Sequence, residues 1–100
     1  MSQTKRNTNR ECYDLVAKIP QGKVTTYDEI GRVLGIPGYK TVGKSKLAMR
    51  QDRTLPPVPH HRVIMEDGKV DEDTKRLLLA DGVQVDGNIV PLQNYFYKFQ

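Results

Sequence analysis

From Asn9 the apolar residues Cys12, Leu15, Val16 and Ile19 recur at i, i+3, i+4 and i+7, the spacing of one face of a short helix. Pro20-Gln21-Gly22-Lys23 stops that helix with a turn, and Val24-Thr25 reads as a short extended strand. Thr26-Tyr27-Asp28-Glu29 has the form of a capping box, with Thr26 at the N-cap and the Glu29 side chain reaching back to it. Ile30, Val33 and Leu34 then supply the buried face of a second helix, and Gly35 stands where a left-handed C-terminal cap is expected. Ile36-Pro37-Gly38 is a tight connector. The third helix is predicted over about Tyr39–Arg50, with Val42, Ser45 and Met49 on one face and Lys40, Lys44, Lys46 and Arg50 as charges without any acid among them.

The prolines in Arg53–Pro59 exclude helix, because each removes a backbone donor and fixes φ. His61–Met65 reads as a strand, Glu66-Asp67-Gly68 as a hairpin turn and Lys69-Val70 as the return. Asp71–Ala80 is predicted as a fourth helix, with Asp71, Glu72 and Asp73 where the macrodipole favours negative charge. Val83–Val90 reads as a small hairpin about Asp86-Gly87, and the tail with Tyr95, Phe96, Tyr97 and Phe99 is apolar enough to pack on the domain. Residues 1–8 read as a flexible lead-in and 9–100 as a single domain without repeats or linkers. Helix, helix, short connector, basic helix and then a two-stranded ribbon is the order of an α+β, mainly helical winged helix-turn-helix with a small β-ribbon wing.

At 100 residues, the chain suits one compact core. No window approaches the ~20 apolar residues of a membrane span, the N-terminus lacks the apolar stretch of a signal peptide, and the lone Cys12 cannot form an internal disulfide; the expectation is an intracellular protein that does not engage membranes. The net charge is +4, but it is unevenly spread: residues 1–50 carry ten basic and four acidic side chains, residues 51–100 six and eight. A basic half of this kind suits a polyanion such as nucleic acid, although small basic domains also carry such charge for solubility alone.

Four segments carry a resemblance. Ile19-Pro20-Gln21-Gly22-Lys23-Val24-Thr25-Thr26-Tyr27-Asp28-Glu29-Ile30 is similar to the "IPxGKVxTYGEIA" segment of the DNA-binding domain of O6-alkylguanine-DNA alkyltransferases. Gly35-Ile36-Pro37-Gly38-Tyr39-Lys40-Thr41-Val42-Gly43 resembles its "GxPxxARxVG", Pro59-His60-His61-Arg62-Val63-Ile64 stands where the family has "PCHRVI", and Leu77–Val83 echoes "LLxxEGV". Order and spacing agree over roughly residues 12 to 85. The resemblance implies that Tyr27, Lys40, Thr41, Gly43, Lys44, Ser45, Lys46 and Arg50 face DNA. It also implies that Tyr27, Pro59, His60, Arg62 and Val63 form a lesion pocket, with Tyr27 pressing on the phosphate beside a flipped base and Lys40 in the place of an arginine finger.

The main departure is His60, which stands at the family's alkyl-accepting cysteine. A thiolate is a strong nucleophile toward an alkyl carbon and a neutral imidazole is far weaker. His61 and Asp81 match the relay that activates that cysteine, and without a thiol they are expected to keep a structural hydrogen bond. Cys12, on the apolar face of the first helix, reads as an inert buried thiol. Lysine for arginine at residue 40 loses planar stacking. Only Asp71-Glu72-Asp73 separates Val70 from Thr74 where the family has a lid, which leaves a more open pocket. His60 and His61 are neighbours on a predicted strand, point apart and have no third ligand nearby in sequence, so neither metal nor cofactor is expected.

The chain thus resembles the alkyltransferase-like subgroup. The resemblance implies a non-catalytic, monomeric protein that binds duplex DNA, flips O6-alkylguanine and marks it for nucleotide excision repair proteins. The alternatives are a winged helix that binds DNA without lesion specificity, a residual alkyltransferase, and a protein-interaction module.

Overall fold

A computed structural model of the chain describes residues 8–51 and 56–99, with backbone alone for 8, 9 and 47–51. The predicted lead-in up to residue 7 and Arg53-Thr54-Leu55 lie outside the described residues, as do the side chains of Met49 and Arg50. Helix α1 spans Thr8–Ala17, so its first residue is the last of the predicted lead-in. Cys12, Leu15, Val16 and Ile19 are all buried, as their spacing requires.

The chain next forms the two-residue strand β1 (Thr25–Thr26) and helix α2 (Tyr27–Leu34). Thr26 caps α2 by accepting the Glu29 backbone N–H at 3.2 Å, and Gly35 ends it at φ 72°, ψ 32°. The second half of the expected capping box is absent. The Glu29 carboxylate turns away from Thr26 and accepts from Arg32 Nε and Nη2 at 2.8 and 2.7 Å and from the Phe99 backbone N–H at 2.9 Å. The guanidinium beside Glu29 holds its carboxyl below the usual range. Val33, expected in the buried face of α2, is 36% exposed; Ile30 and Leu34 are buried and carry the packing.

Helix α3 (Gly38–Gln51) follows the Gly35–Pro37 turn and packs on α2 and α1. Its approach to α2 requires Gly31, where a Cβ would lie 2.6 Å from the Ile36 carbonyl oxygen and 2.6 Å from Thr41 Oγ1. Thr41 and Ser45, four residues apart, form the buried stripe of α3, whereas Val42 is only partly covered.

The wing region departs furthest from expectation. His60–Arg62 forms a single 3₁₀ turn rather than strand, and only Val63–Ile64 is extended, as β2. β2 runs parallel to β1, Thr25 opposite Val63 and Thr26 opposite Ile64. Lys69-Val70 therefore does not return along β2. Its ribbon partner is the distant 88–90 segment: Val70 N–H donates to Asn88 at 2.9 Å and Val90 N–H to Gly68 at 2.9 Å. Strand alternation sends Val63 into a core with α1 and α2, and Ile64 into a second core with Val24, Leu78, Val83 and Val90. Each buried Ile or Leu of this kind is worth about 1.5–3 kcal/mol, enough to outweigh the local preference for a hairpin.

Helix α4 spans Glu72–Ala80, with Asp71 outside it as the N-cap, accepting from Thr74 N–H at 2.7 Å. The Asp86–Ile89 pair closes the expected small turn. The tail begins with the short helix α5 (Leu92–Tyr95), then runs beside Val24: Val24 N–H donates to Tyr95 at 2.9 Å and Tyr97 N–H to Val24 at 2.7 Å. Phe99 ends in the first core. The tail packs on its own chain.

Candidate functional site

A pocket of about 600 Å³ opens among the start of α2, one side of α3, the 3₁₀ turn with β2, and α4. Tyr27, His60 and Val63 line it, as do Ser45 and Lys46 from α3. The other two expected pocket residues are elsewhere: Pro59 is not in the lining, and Arg62 turns inward. Arg62 Nε and Nη2 donate to Asp81 at 2.7 and 3.1 Å, and Nη1 donates to the Ile19 carbonyl at 2.9 Å. The sequence assigned Arg62 to the pocket by its place in a motif. Asp81, at the end of α4, draws it into the fold instead.

His61 lines the pocket while its Nε2–H donates to Asp81 at 2.7 Å. The carboxylate can only accept, so this nitrogen carries the proton. Asp81 is thereby shared by an arginine and a histidine, and Arg62 first, then His61, holds its carboxyl below the ordinary value. His60 is exposed, and its ring stands edge-on to His61 with centroids 6.3 Å apart. The two rings project from a 3₁₀ turn, not from opposite faces of a strand. Among the described residues no group of three His, Cys, Asp or Glu side chains gathers as a metal site.

Tyr27, the first residue of α2, is half-buried at the pocket wall. Burial, aided by the charges of Glu66 and Asp71, pushes its phenol pKa up, so the hydroxyl stays a neutral donor. Asp71 and Asp73 also line the pocket, where the short connector to α4 brings them. Asp71 is committed to capping Thr74, and this hydrogen bond lowers its pKa.

The expected DNA-facing residues of α3 divide by helical phase. Lys40 and Gly43 are exposed and Lys44 is partly so, on one side. Among the described residues nothing lies within 4 Å of where a Gly43 Cβ would stand, so packing within the chain does not demand glycine there. Lys46 is exposed at the pocket. Thr41 is not on this surface: it is fully buried, and its hydroxyl donates to Pro37 at 3.0 Å. Ser45 is 2% exposed, with a buried hydroxyl that has no hydrogen-bond partner among the described residues. The α4 wall of the pocket, with Thr74 and Leu77, and the Lys69-Val70 edge were not legible as pocket residues. They reach it through long-range packing that leaves no periodic signal.

Residues 7–84 match the family model described as 6-O-methylguanine DNA methyltransferase, DNA binding domain. Alkyltransferase-like protein 1 of Schizosaccharomyces pombe is 46% identical over 59 residues, 58% of this chain, and the match spans about half (52%) of that protein's length. The DNA base-flipping protein of Escherichia coli is 32% identical over 95 residues, covering 87% of this chain and 71% of that protein. In three dimensions the chain is similar to S. pombe Atl1 in complex with damaged DNA containing O6-carboxymethylguanine, with TM-score 0.76, 28% identity, and coverage of 95% of this chain and 100% of that one. A second complex of the S. pombe protein with DNA gives a TM-score of 0.75 at 29% identity.

Proposed function

The chain belongs to the family of the 6-O-methylguanine DNA methyltransferase DNA-binding domain, and from that membership we propose that it is a lesion-binding protein that transfers nothing. It binds duplex DNA through α3, turns an O6-alkylated guanine into the pocket beside His60, and holds it there as a mark for nucleotide excision repair proteins. The observation that carries this reading is the pocket itself. Tyr27, His60 and Val63 converge beside a basic helix, while Cys12, the one cysteine of the chain, is fully buried in the core of α1 and α2. No thiol lines the pocket, so the nucleophile that alkyl transfer needs is missing where the base would sit.

Tyr27 has the position and the protonation to donate to a phosphate beside the extruded nucleotide, and Lys40, Lys44 and Lys46 supply the sequence-independent attraction. Turning a base out costs a few kcal/mol, least where pairing is already weakened, which favours the alkylated guanine over the normal one. The relatives named for alkyltransferase likeness and base flipping, and the solved complex with O6-carboxymethylguanine DNA, support the same reading.

The test is a titration of matched duplexes, plain and carrying O6-methylguanine, at two salt concentrations, followed by intact-mass measurement of the protein. Expected are tighter binding to the lesion duplex, a salt-dependent affinity for both, and an unchanged protein mass. A gain of one methyl group on the protein overturns the non-catalytic reading. Equal affinity for the two duplexes leaves a winged helix without lesion specificity.

A further inference from the structure

Tyr39 is the most exposed large apolar residue of the described chain, at 77%, although it lies in the first turn of α3, beside exposed Lys40. Its ring stacks on no other aromatic side chain among the described residues. An aromatic ring left in water on a basic helix has apolar area and a π-face to offer a ligand. Tyr39 lines a shallow groove with Gly38, Val42 and Met65, and Val42 and Met65 also line the base pocket. The groove lined by the ring therefore adjoins the pocket, and Met65, common to both, is 44% exposed. The same groove also contains Asp28 and Glu66.

We propose that Tyr39, rather than Lys40, fills the base stack when the guanine is turned out, its ring stacking on a base that flanks the vacated position. This rests on the base-flipping reading above. A cavity in the duplex needs a flat, weakly hydrated group; the ammonium of Lys40 is neither, whereas the adjacent phenol ring is both. Lys40 then serves as a phosphate contact on the neighbouring side of the helix. The two residues share between them what a single arginine does by stacking and charge together.

The experiment compares the intact chain with Tyr39→Ala, Tyr39→Phe and Lys40→Ala on the plain and O6-methylguanine duplexes, with 2-aminopurine placed next to the lesion. Tyr39→Ala is expected to cut lesion affinity about 10-fold more than plain affinity, leave the salt slope unchanged, and relieve the 2-aminopurine quenching produced by a stacked ring. Tyr39→Phe should keep both properties, since it retains the ring. Lys40→Ala should weaken both duplexes alike and lower the salt slope by about 1. Because Tyr39 is exposed, all variants should melt at the temperature of the parent. If the parent prefers the lesion duplex and Tyr39→Ala preserves that preference and the quenching, the assignment of Tyr39 is overturned while base flipping stands. If the parent itself shows no preference, base flipping falls and the assignment falls with it.

Discussion

At the C-terminal end of α4, Asp81 accepts from His61 at 2.7 Å and from Arg62 at 2.7 and 3.1 Å, whereas on α3 Lys40 and Lys44 form no ion pair with any described residue. The first group of charges is largely removed from water, with His61 and Arg62 each 15% exposed and Asp81 12%, and each donor has its acceptor. The second group keeps its hydration and its counterions. The contrast separates charge that builds the fold from charge left on the surface. A buried ion pair holds two distant segments in register but has nothing left to offer DNA. A solvated lysine contributes little to folding, and releases counterions when it meets a phosphate.

Three changes break or sharpen this contrast. The largest effect on folding is expected from Asp81→Ala, which strands Arg62 and His61 beside the end of α4. A loss of about 3 kcal/mol in urea unfolding is expected, and a loss under about 1 kcal/mol would show that the cluster contributes little to the fold. Acid sensitivity comes next. The carboxyls of Asp81 and Glu29 are both held below their ordinary values by the adjacent guanidinium groups of Arg62 and Arg32. Their contribution is therefore complete above the unfolded carboxylate pKa of about 4 and is lost as pH falls through the lowered folded values. Stability measured down to about pH 2 should decline over that window, and the decline should be shallower in Asp81→Ala; equal slopes would remove Asp81 from the account. The smallest effect on folding is expected from Lys40→Ala combined with Lys44→Ala. Stability should stay within about 0.5 kcal/mol while the slope of log affinity against log salt falls by about 2. An unchanged slope would remove this side of α3 from the DNA-facing surface.

Some of the molecule was readable because it depends on neighbours in sequence. The i, i+3, i+4 spacing in α1, the Thr26 cap, the left-handed Gly35 and the Asp-rich start of α4 each act within one turn of backbone, and each stands where the pattern placed it. Tyr27 lines the same pocket as His60 and Val63, which follow it by more than thirty positions. Other assignments failed because a motif names residues, not the directions of their side chains. Arg62 and Thr41 carry polar groups suited to a ligand, yet the first is spent on Asp81 and Ile19 and the second on the α2–α3 contact.

By itself, then, the sequence determined where α1 to α4 start and stop to within about two residues, which helix is rich in lysine without acids, and which residue types are present for chemistry. These follow from local hydrogen bonding and composition, which need no distant partner. Only the tertiary structure decided that β2 joins β1 in parallel instead of folding back on Lys69-Val70, that Glu29 anchors the tail through Phe99 instead of closing its own cap, and that Tyr39 is left exposed in the first turn of α3. In each case two arrangements satisfy the same local backbone, and the choice falls to burial of apolar area and pairing of charge between segments up to seventy residues apart, as Glu29 and Phe99 are.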